Sequence, residues 1–477
     1  MITLNTDSED FVDFRNPKFY ITGLFLLIGG IVLKSYYISD YSLWYDESVS
    51  LFHVQKNILR VFEYSALDNT PPIYNLFLHL WIKIFGVSEF AIRFPSVIFS
   101  SIAGLGIFYL GFRRKSFWAG LLAALIFTFN NFNLWYAQDA RCYAMVSMFA
   151  VLSIIIFENW VKDKSTKNTK YLIIINCLLL YTHYITFFLF AGQALFIFLF
   201  EKSEFRKYLN LMLRVAGIFG IWSIAMIRNL ITINKGFWIP STTTDTLSLM
   251  LKEVGGSYWQ FGIIAILLVL GYFFQKNQKK EYLFLIFSIV IPVVLLLGVS
   301  LITPLFITRY LIYIFPFIAL GLAYAITEIF PFKVLNYCFG LGLLLSLSYG
   351  VSIYQDKGDD MRSLVKTIKE NEVSNRAIIL QTDMFYGLFT YYYDREGLFR
   401  NPYEIKYLMK DRNILGLNGM GNLDKMMVDD AEQVILVNLF NLSTDPGQQV
   451  KAYIKSNHSK NDFKDSSGVI LVNAFSK

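Results

Sequence analysis

Cysteine is scarce in this chain, and its placement excludes two architectures. Cys142, Cys177 and Cys338 are the three cysteines among 477 residues, and each lies in or beside an apolar run. They have neither the pairing of a disulfide framework nor the spacing of a zinc site, so they read as small packing residues. Charge is scarce too: 17% of residues are Asp, Glu, Lys or Arg, whereas 55% are hydrophobic and 17% aromatic. A mean hydropathy of +0.45 lies far above the balance of a soluble globular protein, so the chain is read as mostly a bilayer protein. No Gly-rich phosphate loop or nucleotide-binding βαβ unit precedes the apolar runs, which leaves no soluble nucleotide chemistry. Residues 1–17 are acidic and polar, without a basic leader or a cleavage site after the first apolar run. The first span is therefore read as a retained anchor.

Crossing about 30 Å of hydrocarbon takes roughly 17 to 25 apolar residues. Runs at 19–35, 90–112, 117–136, 143–161, 209–231, 259–274, 283–302, 303–329 and 334–353 meet that need. The run 171–200 is too long for one span, and Tyr181-Thr182-His183-Tyr184 interrupts it. It is read as two short spans meeting at an outer tip, giving about eleven crossings. Lys and Arg cluster at Arg113-Arg114-Lys115, 162–170, 202–207 and 276–280, all on one side under this count. That side is expected to be the cytoplasm. The first loop, the turn Gln138-Asp139-Ala140-Arg141, the His183-Tyr184 tip and the 238–259 loop then lie on the extracytoplasmic face. The net charge of +7, from 43 basic and 36 acidic residues, is accounted for by these loop cations and calls for no nucleic-acid partner.

The loop after the first span carries most of the chemical signal. It holds Asp46-Glu47, then Asp68-Asn69-Thr70-Pro71-Pro72, Gly86-Val87-Ser88-Glu89 and Arg93-Phe94-Pro95-Ser96. Adjacent carboxylates at the lip of an apolar span are costly to desolvate and point to chemistry. The spacing predicts a helix in the interface over 56–67 and a second, too short to span, over 73–85 after the two prolines. This segment resembles the first extracytoplasmic loop of the polytopic GT-C glycosyltransferases, in the branch of protein O-mannosyltransferases and the lipid A aminoarabinose transferase (glycosyltransferase family 39-like). That branch has an Asp-Glu pair, an Asp-x-x-Pro-Pro-type turn, a short apolar helix and Arg-x-Pro-Ser opening the second span.

The resemblance implies a GT-C fold, a polytopic helical membrane protein with a small C-terminal extracytoplasmic α/β domain. The expected division is a transmembrane glycosyltransferase domain at 1–355, with its catalytic loop at 36–90, and a tail at 356–477. In the tail, β-rich runs at 377–382, 433–439 and 468–475 alternate with helical patterns at 360–370 and 446–456. Acceptor recognition and a structural cap both remain open as its role.

Outside the cytoplasm no nucleotide sugar is available, so a lipid-linked sugar is the expected donor. A polyprenyl phosphate leaves without a proton but needs cations aimed at its oxygens, whereas the acceptor hydroxyl needs a base. Asp46 matches the family's catalytic aspartate, with a helix cap as its structural alternative. Glu47 is expected to orient a partner or to bind a metal. Asp139 matches the second acidic position of the class, where Glu is commoner, and is a candidate for acceptor or metal contact. Arg141 and Arg309, with Tyr310, are expected to face the phosphate: an arginine near the outer end of an apolar span must find an anion. Arg93 matches the Arg-x-Pro-Ser arginine, with snorkelling to headgroups as the alternative. His183 and Tyr184 match a frequent His-Tyr pair, and Asp68 completes the substrate-binding set. No cofactor is implied except a divalent cation, for which Glu47, Asp68 and Asp139 are the candidates. The expected partners are the lipid-linked donor, membrane lipid, and a protein, lipid or glycan acceptor. The competing reading is a carrier or flippase for lipid-linked sugars, which predicts ionisable residues at the midplane and internal repeats, neither of which is found.

Overall fold

The structure, a computed structural model, describes residues 16–477 except 69, 234–238, 240, 350, 356, 358–359, 382–384, 418–419, 440–447 and 468–469. The acidic N-terminal stretch, Asn69 and Trp238 thus lie outside the described residues. By its packing the chain divides into two compact units. One comprises Met1–Tyr36, Phe62–Tyr74 and Arg93–Ile353; the other comprises Tyr37–Val61, Asn75–Ile92 and Tyr354–Lys477. Two stretches of the first loop are therefore grouped with the tail, whereas the expected boundary at residue 355 assigns them to the membrane domain.

In chain order the helices begin with α1 (Pro17–Ser35), α2 (Tyr45–Val54), α3 (Ile58–Leu67), α4 (Ile73–Phe85), α5 (Glu89–Arg114) and α6 (Phe117–Thr128). They continue with α7 (Asn131–Ala137), α8 (Tyr143–Lys162), α9 (Thr166–Thr182), α10 (Phe187–Phe200) and α11 (Phe205–Ile233). Then follow α12 (Thr244–Gly255), α13 (Tyr258–Phe274), α14 (Lys279–Ser300), α15 (Phe315–Ile329), entered through the 3-10 segment Thr308–Ile314, and α16 (Lys333–Ser348). Each of the eleven expected crossings has a helix at its place. Among the described residues, by length and composition alone, five helices are long and apolar enough to span, or seven if the bent pairs α6/α7 and α12/α13 each count as one. The run expected to cross over 303–329 becomes helical only at Thr308. Pro304, which restricts the residue before it and donates no amide, lies in the non-helical lead-in.

Small residues and amide side chains shape the membrane unit. A Cβ on Gly111 of α5 would lie 2.5 Å from the Gly120 Cα of α6, so these helices cross backbone to backbone where only glycine fits. The expected span 117–136 is in fact broken, with α6 and α7 bent by 65°. Asn130 makes the break: its side chain accepts from the Asn133 amide at 3.2 Å, starting a new helix, and Asn133 Nδ2 donates to the Phe127 carbonyl at 2.8 Å. At the end of the bundle that carries the basic clusters, ion pairs join Arg114 to Glu158, Lys115 to Glu328 and, at 2.6 Å, Lys280 to Glu201. The end of α5 is thus tied to α8 and α15, and α14 to the end of α10.

The second unit contains a five-stranded sheet. Its strands are β1 (Arg376–Gln381), β2 (Ile414–Leu417), β3 (Gln433–Leu439), β4 (Lys460–Ser467) and β5 (Ile470–Ser476), in the order β2-β1-β3-β5-β4. β1 pairs in parallel with β2 and β3, while β5 is antiparallel to β3 and β4. Ala377, Ile379, Val434, Leu436 and Phe475 form one buried face with Val450 and Ile454 of the helix Gln449–Asn457. The helices α17 (Met361–Asn371) and α18 (Tyr386–Tyr393) also belong to this unit. Phe52 of α2 meets the Tyr386 ring of α18 edge-on at 5.1 Å.

Candidate active site

The turn that presents Asp139 and Arg141 follows from local hydrogen bonding in the membrane unit. Leaving α7, the chain is held by Gln138, whose Nε2 donates to the carbonyls of Lys34 and Tyr36 at 3.0 and 3.1 Å. Ser96 of the Arg-x-Pro-Ser motif donates to the Asp139 carbonyl at 2.6 Å. The motif serine is therefore a strut for the turn. Asp139 and Arg93 are both fully buried. Burial overturns the snorkelling alternative for Arg93, because a guanidinium with no exposed surface does not reach the headgroups.

Around this turn the predicted cations and rings converge. The Arg309 guanidinium lies 5.9 Å from the centre of the Tyr143 ring, and the Tyr310 ring meets His183 at 4.9 Å. Tyr143 is 6.3 Å from His183. The break between α9 and α10 falls where it was expected, and His183 itself caps it, its Nδ1 accepting from the Ile185 amide at 3.4 Å. That bond places the ring proton on Nε2, which makes the ring a donor. Burial, followed by the charges of Arg141 and then Arg309, pushes the His183 pKa down to about 3, so the ring is neutral at physiological pH. The electrostatic reach of Asp68 extends to Tyr184, which joins Asp68 to the same neighbourhood. Asp68, Asp139, Arg141, His183, Tyr184, Arg309 and Tyr310 thus belong to one cluster of the membrane unit. Two guanidiniums, a neutral imidazole donor and phenol hydroxyls can hold a phosphate and stabilise the charge it gains on leaving.

Sequence reasoning missed Tyr74. It is buried, near Ser96 and in the fields of Asp139 and Arg141. Burial, then the Asp139 charge, holds its hydroxyl well above the usual range, so it stays protonated. The available signal was its position: it follows Pro71-Pro72 in the first turn of α4, where the proline pair fixes the direction of the side chains.

Asp46 and Glu47 belong to the second unit, on the first turn of α2. Glu47 is fully buried, and its Oε2 accepts from the Trp44 amide at 3.3 Å, so Glu47 closes the start of the helix. The capping role foreseen for Asp46 therefore falls to its neighbour. Asp46 is half-buried.

The same unit reveals a hub that sequence reading left without a role. Glu89 Oε1 receives Arg362 at 2.8 Å and the Tyr392 hydroxyl at 3.3 Å. Its Oε2 lies 3.0 Å from the Tyr391 hydroxyl and 3.7 Å from Arg395. The Tyr392 hydroxyl also accepts from the Leu43 amide at 2.7 Å, just ahead of α2. One carboxylate thus links the tail helices to the approach to Asp46. Glu89→Ala is expected to destabilise this unit by about 2 kcal/mol, because buried donors lose a charged acceptor. Thermal unfolding and the rate of proteolysis in the tail measure it; unchanged values would mean the hub contributes nothing.

Among the described residues no three His, Cys, Asp or Glu side chains are placed to hold a metal ion. Glu47 is engaged in its helix cap.

The architecture is that of a polytopic helical membrane protein with the GT-C fold and an α/β tail. Residues 69–228 match the family model described as dolichyl-phosphate-mannose-protein mannosyltransferase. The chain is similar in structure to ArnT from Cupriavidus metallidurans in the apo state, with a TM-score of 0.62 at 9% identity, covering 95% of this chain and 98% of the other. It is similar also to that protein bound to undecaprenyl phosphate, with a TM-score of 0.61 at 9% identity, covering 96% and 97%. At this identity the likeness is one of fold. Among curated proteins no relative matches. The resemblance read from the first loop is borne out by the family model and by the fold.

Proposed function

We propose that the protein is an integral-membrane glycosyltransferase that moves a sugar from a polyprenyl-phosphate donor to an extracytoplasmic acceptor. The observation that carries this reading is the cluster in which Arg309 lies 5.9 Å from the Tyr143 ring and His183 packs against Tyr143 and Tyr310, within the field of Arg141. A bilayer protein that gathers two guanidiniums beside a hydrogen-bond donor is suited to a lipid phosphate. The match of residues 69–228 to a family named for a dolichyl-phosphate-linked sugar, and the undecaprenyl phosphate bound to the structurally similar ArnT, support the same donor class.

In this reading the Asp46 carboxylate takes the proton of the acceptor hydroxyl as its oxygen attacks the anomeric carbon. The bond from that carbon to the phosphate oxygen breaks, and polyprenyl phosphate departs as an anion held by Arg141 and Arg309. Asp139, on the same turn as Arg141, is assigned to acceptor contact. Mass spectrometry of the purified protein, incubated with polyprenyl-phosphate sugar and candidate acceptors, tests the reading: transferred sugar mass supports it. Donor that co-purifies and is never consumed would favour a carrier.

The proposed face is testable on its own. A Cys introduced at Ser456 in the tail is expected to react with a membrane-impermeant thiol reagent in intact cells, and one at Asn277 in a basic loop is not. The reverse pattern would place the catalytic loop in the cytoplasm and remove the lipid-linked donor argument.

A further inference from the structure

The end of the membrane unit that carries the basic clusters holds a cleft of about 620 Å³ that the transfer reaction does not use. Lys18, Lys115 and Lys333 line it. The helices α1, α6 and α16 all begin at it, with Pro17, Phe117 and Lys333 as their first residues. Lys18 and Lys333, together with three positive helix ends, make the mouth anion-attracting. Its walls are of a different character. Phe19 stacks on Phe112 at 4.6 Å, and Trp118 meets the Tyr337 ring at 4.8 Å while donating to Asn336 at 2.7 Å. Outside the mouth Phe332 and Val334 are each 72% exposed, as suits side chains in contact with acyl chains. Lys115 is paired with Glu328, whereas Lys18 and Lys333 are exposed.

We propose that this cleft binds an anionic phospholipid, its phosphate at Lys18 and Lys333 and its chains along the aromatic wall. A soluble anion has no use for the aromatic wall, and a zwitterionic lipid leaves the excess positive charge unmatched. Under the expected orientation the cleft opens to the cytoplasmic leaflet, where anionic lipids attract basic residues. The inference rests on the membrane unit alone and stands apart from the transferase reading.

The test uses the full chain purified in detergent, with thermal unfolding and native mass spectrometry as readouts. Phosphatidylglycerol is expected to raise the melting temperature and to be retained on the protein, whereas phosphatidylcholine and inorganic phosphate are not. The double variant Lys18→Gln, Lys333→Gln is expected to bind phosphatidylglycerol roughly thirtyfold more weakly, each lysine at an anionic surface contributing about fivefold. The pair Lys167→Gln, Lys170→Gln, exposed on α9 and not lining the cleft, serves as the charge-matched control and is expected to bind as wild type. Equal stabilisation by phosphatidylcholine, an effect of inorganic phosphate alone, or equal losses in both double variants would each overturn the proposal.

Discussion

Asp46→Asn is expected to lower turnover by about 10² to 10⁴ while leaving donor binding close to wild type. The amide has nearly the shape of the carboxylate and keeps the place on α2, but it takes up no proton from the acceptor hydroxyl. The helix start survives, because its cap is Glu47. Binding survives because the phosphate is assigned to other residues, Arg141 and Arg309. Single-turnover release of sugar from a polyprenyl-phosphate donor, alongside donor titration, separates the two quantities. A correctly folded Asp46→Asn protein with near-normal turnover would remove Asp46 as the base.

Arg309→Ala is expected to lower turnover by about 10² to 10³, the range for losing one preorganised charge at a developing anion. It should also abolish most of the rise in melting temperature that polyprenyl phosphate produces in the wild type. Arg309→Lys should fall between, since it keeps the charge and loses the planar fork. The alternative is that Arg309 balances a protein carboxylate. In that case the alanine variant melts earlier and the donor-induced rise is unchanged, a result that would exclude the phosphate role.

The membrane unit was largely legible because its signals are local. Apolar length located a helix at each expected crossing, the Tyr181 to Tyr184 interruption located the break before α10, and the proline pair located α4. The bend between α6 and α7 was not legible, because it rests on Asn130 and Asn133 bonding within an otherwise uniform apolar run. In the tail β3 falls on its expected residues, while β4 escaped notice: Lys460–Ser467 is a polar edge strand whose pairing with β5 is set by tertiary contact. Asp139, Arg141 and Arg309 could be picked out as costly charges in an apolar setting. Tyr74 and Glu89 could not, since the Asp139 and Arg141 charges around the one and the Arg362 and Tyr392 partners of the other are close only after folding.

The Glu89 hub also bears on how such a chain can be recombined. A chimera that exchanges only residues 354–477 for a relative's tail would confront Glu89 with foreign partners for Arg362, Tyr391 and Tyr392, and would lose the hydroxyl that holds the Leu43 amide. The transplantable piece is discontinuous: Tyr37–Val61 and Asn75–Ile92 travel with the tail. An exchange of the tail is therefore expected to keep its packing when it is made as this three-part cassette.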